Sequence, residues 1–89
     1  MKSHTDPDFW HLLSRLPKEA QLQAGVTYRR WKTDPYHPSL HFKRIGKNSP
    51  VYSVRVGRRW RALGLWEEGV ITWFWIGPHE AYNEFIKRL

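Results

Sequence analysis

Hydrophobic positions recur at helical spacing in the first third of the chain and at every second residue beyond it, and prolines mark the change. Asp6-Pro7 reads as an N-cap followed by proline at the first helical position, where the missing N–H costs nothing. Phe9, Leu12, Leu13 and Leu16 then continue at the spacing of one helix face. Pro17 stops that helix and starts the next, in which Ala20, Ala24, Tyr28 and Trp31 form a stripe with Lys18, Gln21, Arg29 and Lys32 lying off it. Asp34-Pro35 and Pro38 end the second segment. The pattern predicts an antiparallel helical hairpin over residues 7–33.

After Pro38 the period falls from 3.6 to 2. Leu40 to Ile45 reads as a short alternating strand, closed by the turn residues Gly46 to Pro50. Val51 to Val56 is β-branched and alternating, Gly57-Arg58-Arg59 makes a tight connection, and Trp60 to Trp66 is the next strand. Glu67-Glu68-Gly69 is a turn. Val70 to Ile76 is apolar on both faces, as a central strand should be. Gly77-Pro78 breaks it, and His79, Tyr82, Phe85, Ile86 and Leu89 show helical spacing. The expected class is α+β: one domain over residues 1–89, with the helical hairpin packed on an antiparallel sheet of about four strands and a short C-terminal helix. Lys2 to Thr5 is a weaker candidate for an additional edge strand.

Composition sharpens this picture at two points. A chain of 89 residues buries only ~60–65% of the surface it exposes unfolded, so its core must be dense. Six Trp, four Phe and four Tyr supply that density. There is no cysteine, which removes disulfides and thiolate metal sites and fits a reducing, cytoplasmic setting. No apolar run is long enough for a signal peptide or a membrane span.

The net charge of +7 is unevenly placed. Residues 35–66 carry seven basic side chains (Lys43, Arg44, Lys47, Arg55, Arg58, Arg59, Arg61) and no acid, whereas the rest of the chain is balanced. Such a block is the footprint of a surface that meets phosphates or an acidic protein partner. Alternation places Val51, Ser53 and Arg55 on one face of their strand and Tyr52, Val54 and Val56 on the other; in the next strand Arg61, Leu63 and Leu65 oppose Trp60, Ala62, Gly64 and Trp66. A short hairpin therefore sets Arg55 near Arg61, with Lys43 on the same surface if its strand joins the sheet. His79 follows the central strand at the rim of the sheet, and Tyr82 lies one helical turn later on the same side.

This set suits cleavage of a phosphodiester by the substrate's own 2′-hydroxyl. Arginine contacts phosphate bidentately and stays charged. Histidine titrates near neutrality and serves as acid or base, and tyrosine stacks on a base or donates a hydrogen bond. The reaction calls for no cofactor. No metal site is expected, because His37 and His41 lie on a loop and a strand and lack a third ligand. Each residue also has a plainer reading: Arg55 and Arg61 as solvated strand charges that deter edge pairing, His79 as a residue that only starts a helix, and Tyr82 as a core aromatic with its hydroxyl in water. Trp73 and Trp75 read as packing residues rather than base-stacking platforms.

The ordered pieces DPYHPSLHFKRI, VYSVRVGRRWRALG and WFWIGPHEAY, after a helical hairpin carrying Gln21, Ala24, Tyr28 and Trp31, resemble the RelE/ParE superfamily of type II toxins over nearly the whole chain. The resemblance implies a small cytoplasmic toxin held inactive by a cognate acidic antitoxin. RelE-like members cleave mRNA in the ribosomal A site without a metal, whereas ParE-like members poison DNA gyrase. In those terms Arg55 matches a basic strand position and Arg61 the arginine that RelE-like nucleases use on the phosphate. His79 falls where some of these nucleases carry arginine and others a histidine serving as an acid, and Tyr82 matches a tyrosine near the C-terminal helix at a shorter spacing from His79 than in RelE. Lys43, Arg44, Lys47, Arg58 and Arg59 become candidate RNA contacts. Ser53 departs from the pattern, because RelE has a lysine there, and Lys43 is the candidate substitute. The expected function is a metal-independent, ribosome-associated endoribonuclease. The alternatives are a gyrase-directed ParE-like inhibitor or a catalytically inactive basic binding module.

Overall fold

A computed structural model describes residues 1–89. In chain order it comprises β1 (Lys2–Thr5), α1 (Pro7–Ser14), α2 (Lys18–Thr33), a short 3₁₀ turn (Pro38–Leu40), β2 (Lys43–Arg44), β3 (Val51–Val56), β4 (Trp60–Glu67), β5 (Val70–Pro78) and α3 (His79–Ile86). The architecture is α+β: an open sheet of five strands in the order β1-β5-β4-β3-β2, with α1 and α2 on one face and α3 on the other.

Asp6 caps α1 as its sequence foretells, its Oδ1 accepting from the Asp8 N–H at 2.8 Å with Pro7 in the first turn. The inward face of α2 is Ala20, Thr27 and Trp31. Tyr28, expected on that stripe, is instead 43% exposed, and its hydroxyl is 2.9 Å from Ser3 Oγ on β1. Trp31 occupies the centre of the helix-side core, 5.3 Å from the Trp73 ring and 5.8 Å from Phe42, both in edge-on geometry.

Three features differ from the expected sheet. Lys2–Thr5 is a full strand that pairs parallel with β5 from Lys2↔Val70 to Thr5↔Trp73, so the sheet has five strands and is not wholly antiparallel. The strand expected over residues 40–45 shrinks to Lys43–Arg44. Pro38–Leu40 turns as a 3₁₀ helix and His41 takes a left-handed conformation at φ 46°, so Leu40 and Phe42 are buried without a ladder between them. Their apolar alternation serves the core beneath α2, not strand pairing. Finally, the β4–β5 register shifts at Leu63/Gly64: Leu63 pairs with Trp75 and Gly64 with Trp73, which leaves Phe74 as an extra residue in β5.

That bulge inverts the alternation of β5. Ile71, Trp73 and Ile76 face the helical hairpin, whereas Phe74 and Trp75 face α3, where they meet Phe85. Gly64 belongs to the same arrangement: a Cβ there would lie 2.7 Å from Ile71 Cγ1 and 2.9 Å from Trp73 Cε3. Gly64→Ala should therefore cost about 1–3 kcal/mol through overpacking. Gly25→Ala in α2, whose Cβ would meet nothing nearer than Arg29 Nη1 at 3.6 Å, should instead stabilise by up to about 1 kcal/mol. Thermal melts of the two variants check the contrast.

Candidate functional site

Residues directly opposite each other in paired strands share a face, so the register assembles the site. On the α3 face one row runs Lys43–Ser53–Leu63–Trp75 and the next runs Arg55–Arg61–Gly77. Arg55 and Arg61 are direct cross-strand partners, as the short hairpin implied. Lys43 lies opposite Ser53 on the same face, so the lysine side chain enters the surface from the edge strand. Gly77 completes the second row without a side chain. A Cβ there would lie 2.6 Å from Trp75 Cζ2, so Trp75 lies back over the glycine.

α3 closes one side of this surface. The His79 N–H donates to the Arg59 carbonyl at 2.8 Å, which ties the start of α3 to the β3–β4 turn. His79 is exposed, and its ring stacks on Tyr82 at 6.3 Å between centroids with 23° between planes. Tyr82 is buried with Val51 and Leu63, and its hydroxyl donates to Ser53 Oγ at 3.2 Å. The phenol therefore ends on a buried serine rather than in water. Ser53, read from the sequence only as a departure from a lysine, joins the tyrosine to the strand row that carries Lys43.

The electrostatics are one-sided. Arg61 is half-buried beside Arg55. Its pKa is lowered first by desolvation and second by the like charge of Arg55, with Tyr82 opposing the shift. A guanidinium remains protonated throughout the accessible pH range, so the charged form is held at a standing cost that an anion would relieve. Neither arginine has a carboxylate partner, since the one ion pair in the chain joins Lys87 to Glu84. Their hydrogen bonds are local: Arg61 Nη1 donates to the Trp60 carbonyl at 2.8 Å and Arg55 Nε to the Gly57 carbonyl at 3.1 Å. Several donors of each guanidinium are left over.

The remaining basic residues are not gathered onto one surface. Arg44 pairs with Tyr52, which puts it on the opposite face from Lys43, and its Nε donates to the Gly46 carbonyl. Lys47 lies in the turn before β3, and Arg58 and Arg59 lie in the turn after it. The six residues of β3 separate those turns by about 17 Å at ~3.3 Å per residue. Only Arg58 and Arg59 adjoin the His79 end of the site. A polar pocket of about 310 Å³ opens at that same end of β3, lined by Arg30, Ser39, Arg55 and Arg58 among others. Arg30 and Ser39 escaped the sequence reading because they lie outside the strands that carry Arg55 and Arg61, Arg30 on a basic helix stretch and Ser39 in a loop. A more apolar cleft of about 340 Å³ lies on the helix face, between the hairpin and the sheet, and includes no Arg, Lys, Asp or Glu. No group of three His, Asp or Glu side chains could hold a metal.

Comparison with known proteins places the chain and its fold. The model of the family described as the ParE-like toxin domain matches residues 18–84. No curated protein sequence matches the chain. Among solved structures, a copper-bound mutant toxin from Helicobacter pylori is similar in fold, with a TM-score of 0.59, 17% sequence identity, and coverage of 91% of this chain and 97% of that one.

Two substitutions separate structural from electrostatic roles. Tyr82→Phe leaves Ser53 Oγ buried without its donor and should cost about 1 kcal/mol. Arg61→Leu removes a desolvated charge from beside a like charge and should raise Tm by a few degrees at neutral pH. Melting curves of both variants check these signs.

Proposed function

The chain belongs to the ParE-like toxin domain family, which implies an antitoxin partner, and from that premise we propose that it is an endoribonuclease toxin cleaving mRNA on the ribosome without a metal. The observation that carries this reading is the Arg55–Arg61 cross-strand pair, half-buried, free of carboxylates and adjoined by His79 and Tyr82. Two guanidiniums with unused donors suit the non-bridging oxygens of a phosphodiester and the charge that grows on them in the transition state.

In the proposed reaction the substrate's 2′-hydroxyl attacks phosphorus and the P–O5′ bond breaks. The products are a 2′,3′-cyclic phosphate and a 5′-hydroxyl. The nucleophile belongs to the substrate, so the protein need only move protons and hold charge. His79, exposed at the rim, donates a proton to the leaving 5′-oxygen, and the proton lost by the 2′-hydroxyl passes to solvent water at this open face. Lys43, opposite Ser53, is the cation nearest the position RelE gives to a lysine and meets the 2′-hydroxyl side. Tyr82 stacks on His79 and orients it, while Arg59 docks the ribosomal RNA backbone.

The second reading is a gyrase-directed inhibitor that cuts no RNA. It is favoured by the ParE-like family match and by Ser53, a buried serine bonded to Tyr82 where RelE has a lysine. Controlled expression of the wild type and an Arg61→Ala/His79→Ala variant, with growth and mRNA ends followed together, separates the two. The nuclease reading expects arrest with new in-frame cuts, both lost in the variant. Arrest without cuts transfers the assignment to gyrase or another protein target, and absence of arrest transfers it to an inactive binding module. With purified protein and programmed ribosomes, Arg61→Ala alone should slow cleavage by about 10²-fold, the usual effect of removing one charge-stabilising donor.

A further inference from the structure

We propose that the polar pocket between α2, the Pro38–Leu40 turn and the end of β3 is a second phosphate subsite, taking a backbone phosphate of the RNA strand that crosses the Arg55–Arg61 face; the inference rests on the nuclease reading above. Its walls are Gln23 and Arg30 of α2, Ser39 of the 3₁₀ turn, and Arg55, Gly57 and Arg58 at the β3–β4 turn. Three guanidiniums, one from α2 and two from the end of β3 and its turn, thus converge on about 310 Å³, and none of them has a carboxylate partner. Like charges brought together without counterions complement an anion, and the planar guanidinium fork fits phosphate oxygens bidentately.

The pocket is also pre-organised. Arg30 Nη1 donates to Ser39 Oγ at 3.2 Å. Ser39 is in turn held by His37 Nδ1, which accepts the Ser39 N–H at 3.1 Å and lies 2.8 Å from its Oγ. Because Nδ1 accepts the backbone N–H, it is unprotonated on that side, so the Ser39 hydroxyl donates to it and offers its lone pair to Arg30. This chain of bonds gives Tyr36-His37-Pro38, a loop without evident purpose in the sequence, a positioning task. On the opposite wall the Arg55 Nε bond to the Gly57 carbonyl directs that side chain along the strand towards the turn, leaving its Nη groups for an external acceptor. Gly57 takes φ +61°, which favours glycine, and a Cβ there would approach the Gln23 side chain at 3.4 Å.

RNA is preferred to an acidic peptide because Arg55 belongs to both sites. A strand placed on Arg55 and Arg61 for cleavage has further phosphates on either side of the scissile one, and the pocket lies where the strand leaves the sheet past the open edge of β3. Gln23 adds a neutral amide donor of the kind that contacts phosphate and sugar oxygens, while Ser39 positions Arg30.

The test is fluorescence anisotropy with an uncleavable single-stranded RNA 12-mer, 2′-O-methylated throughout, over a salt series, for the wild type, Arg30→Ala, Arg30→Lys and Ser39→Ala. Arg30 and Ser39 are exposed, so the variants fold. Arg30→Ala should weaken binding several-fold and reduce the slope of log K against log [salt] by about 0.7, one phosphate contact on a single strand. Arg30→Lys should restore the slope, and Ser39→Ala should weaken binding with the slope unchanged. A wild type that binds with an Arg30→Ala slope identical to its own overturns the subsite and leaves the nuclease reading standing. A wild type that does not bind the RNA overturns the subsite alone, since cleavage on the ribosome is read separately from the mapped mRNA ends. If Arg30→Ala loses affinity for a poly-glutamate peptide and keeps that for RNA, the pocket belongs to an acidic protein partner and the proposal is overturned.

Discussion

The structure depends on one constraint: β5 must fill two cores at once. It lies between β1 and β4 with the helical hairpin over one face and α3 over the other, so each of its large side chains has to be assigned to one side. A strictly alternating strand would send Trp73 and Trp75 to the same face. The extra residue at Phe74 separates them, giving Trp73 to Trp31 and Phe42 on one side and Trp75 to Phe85 on the other. Beyond the bulge the inverted alternation places Gly77 in the row of Arg55 and Arg61 and delivers His79 to the same end of the sheet. A bulge beside a functional surface is the usual device for re-aiming side chains. Here it also reconciles the packing of Trp73 and Trp75 with the placement of the basic pair.

The second theme is charge held without compensation. Fifteen Lys and Arg face eight acids, yet one ion pair forms, between two exposed residues of α3 and its end. Surface pairs contribute little in any case, so the absence of counterions around Arg55 and Arg61 reflects arrangement more than stability. Burial and proximity both disfavour the charged form of Arg61, and the fold bears that cost where it would profit from an incoming anion. The site and the apolar cleft on the helix face are on opposite sides of the sheet. The cleft carries its own tension, because the indole N–H groups of Trp31 and Trp73 are buried there without acceptors, while the edge-on contact of the two rings offers one of them a π face.

How far each element was legible follows from the reach of the signal that encodes it. The cap at Asp6-Pro7, the period of α1 and α2, and the β3 and β4 alternation are local, and each reappears where the sequence places it. The strand at residues 40–45 misled because Leu40 and Phe42 alternate for packing alone, while His41 in a left-handed conformation interrupts the ladder. Tyr28 misled for the converse reason: it holds a helical position near the stripe but is drawn out to Ser3 on β1, a strand whose short polar sequence gives almost no local signal and whose parallel partner is some 70 residues away. Within the site, Arg55, Arg61, His79 and Tyr82 were foreseeable from strand period and helix spacing. Ser53 was not, because a hydroxyl acquires its role from the Tyr82 phenol 29 residues on. Arg30 and Ser39 needed the packing of α2 against the end of β3 before they met.

By itself the sequence determined the fold class, the hairpin, the order of the main strands and the concentration of positive charge in residues 35–66, since propensity, periodicity and composition act over a few residues and do not wait for the fold. Tertiary structure alone decided the parallel edge strand, the bulge at Phe74, the separation of Lys47 and Arg44 from the other basic residues, and the pairing of Tyr82 with Ser53. Those depend on register, and register is chosen by which side chains can be buried together. A single-residue shift in pairing moves every side chain of a strand to the other face, and no local feature of the chain records which choice the core will make.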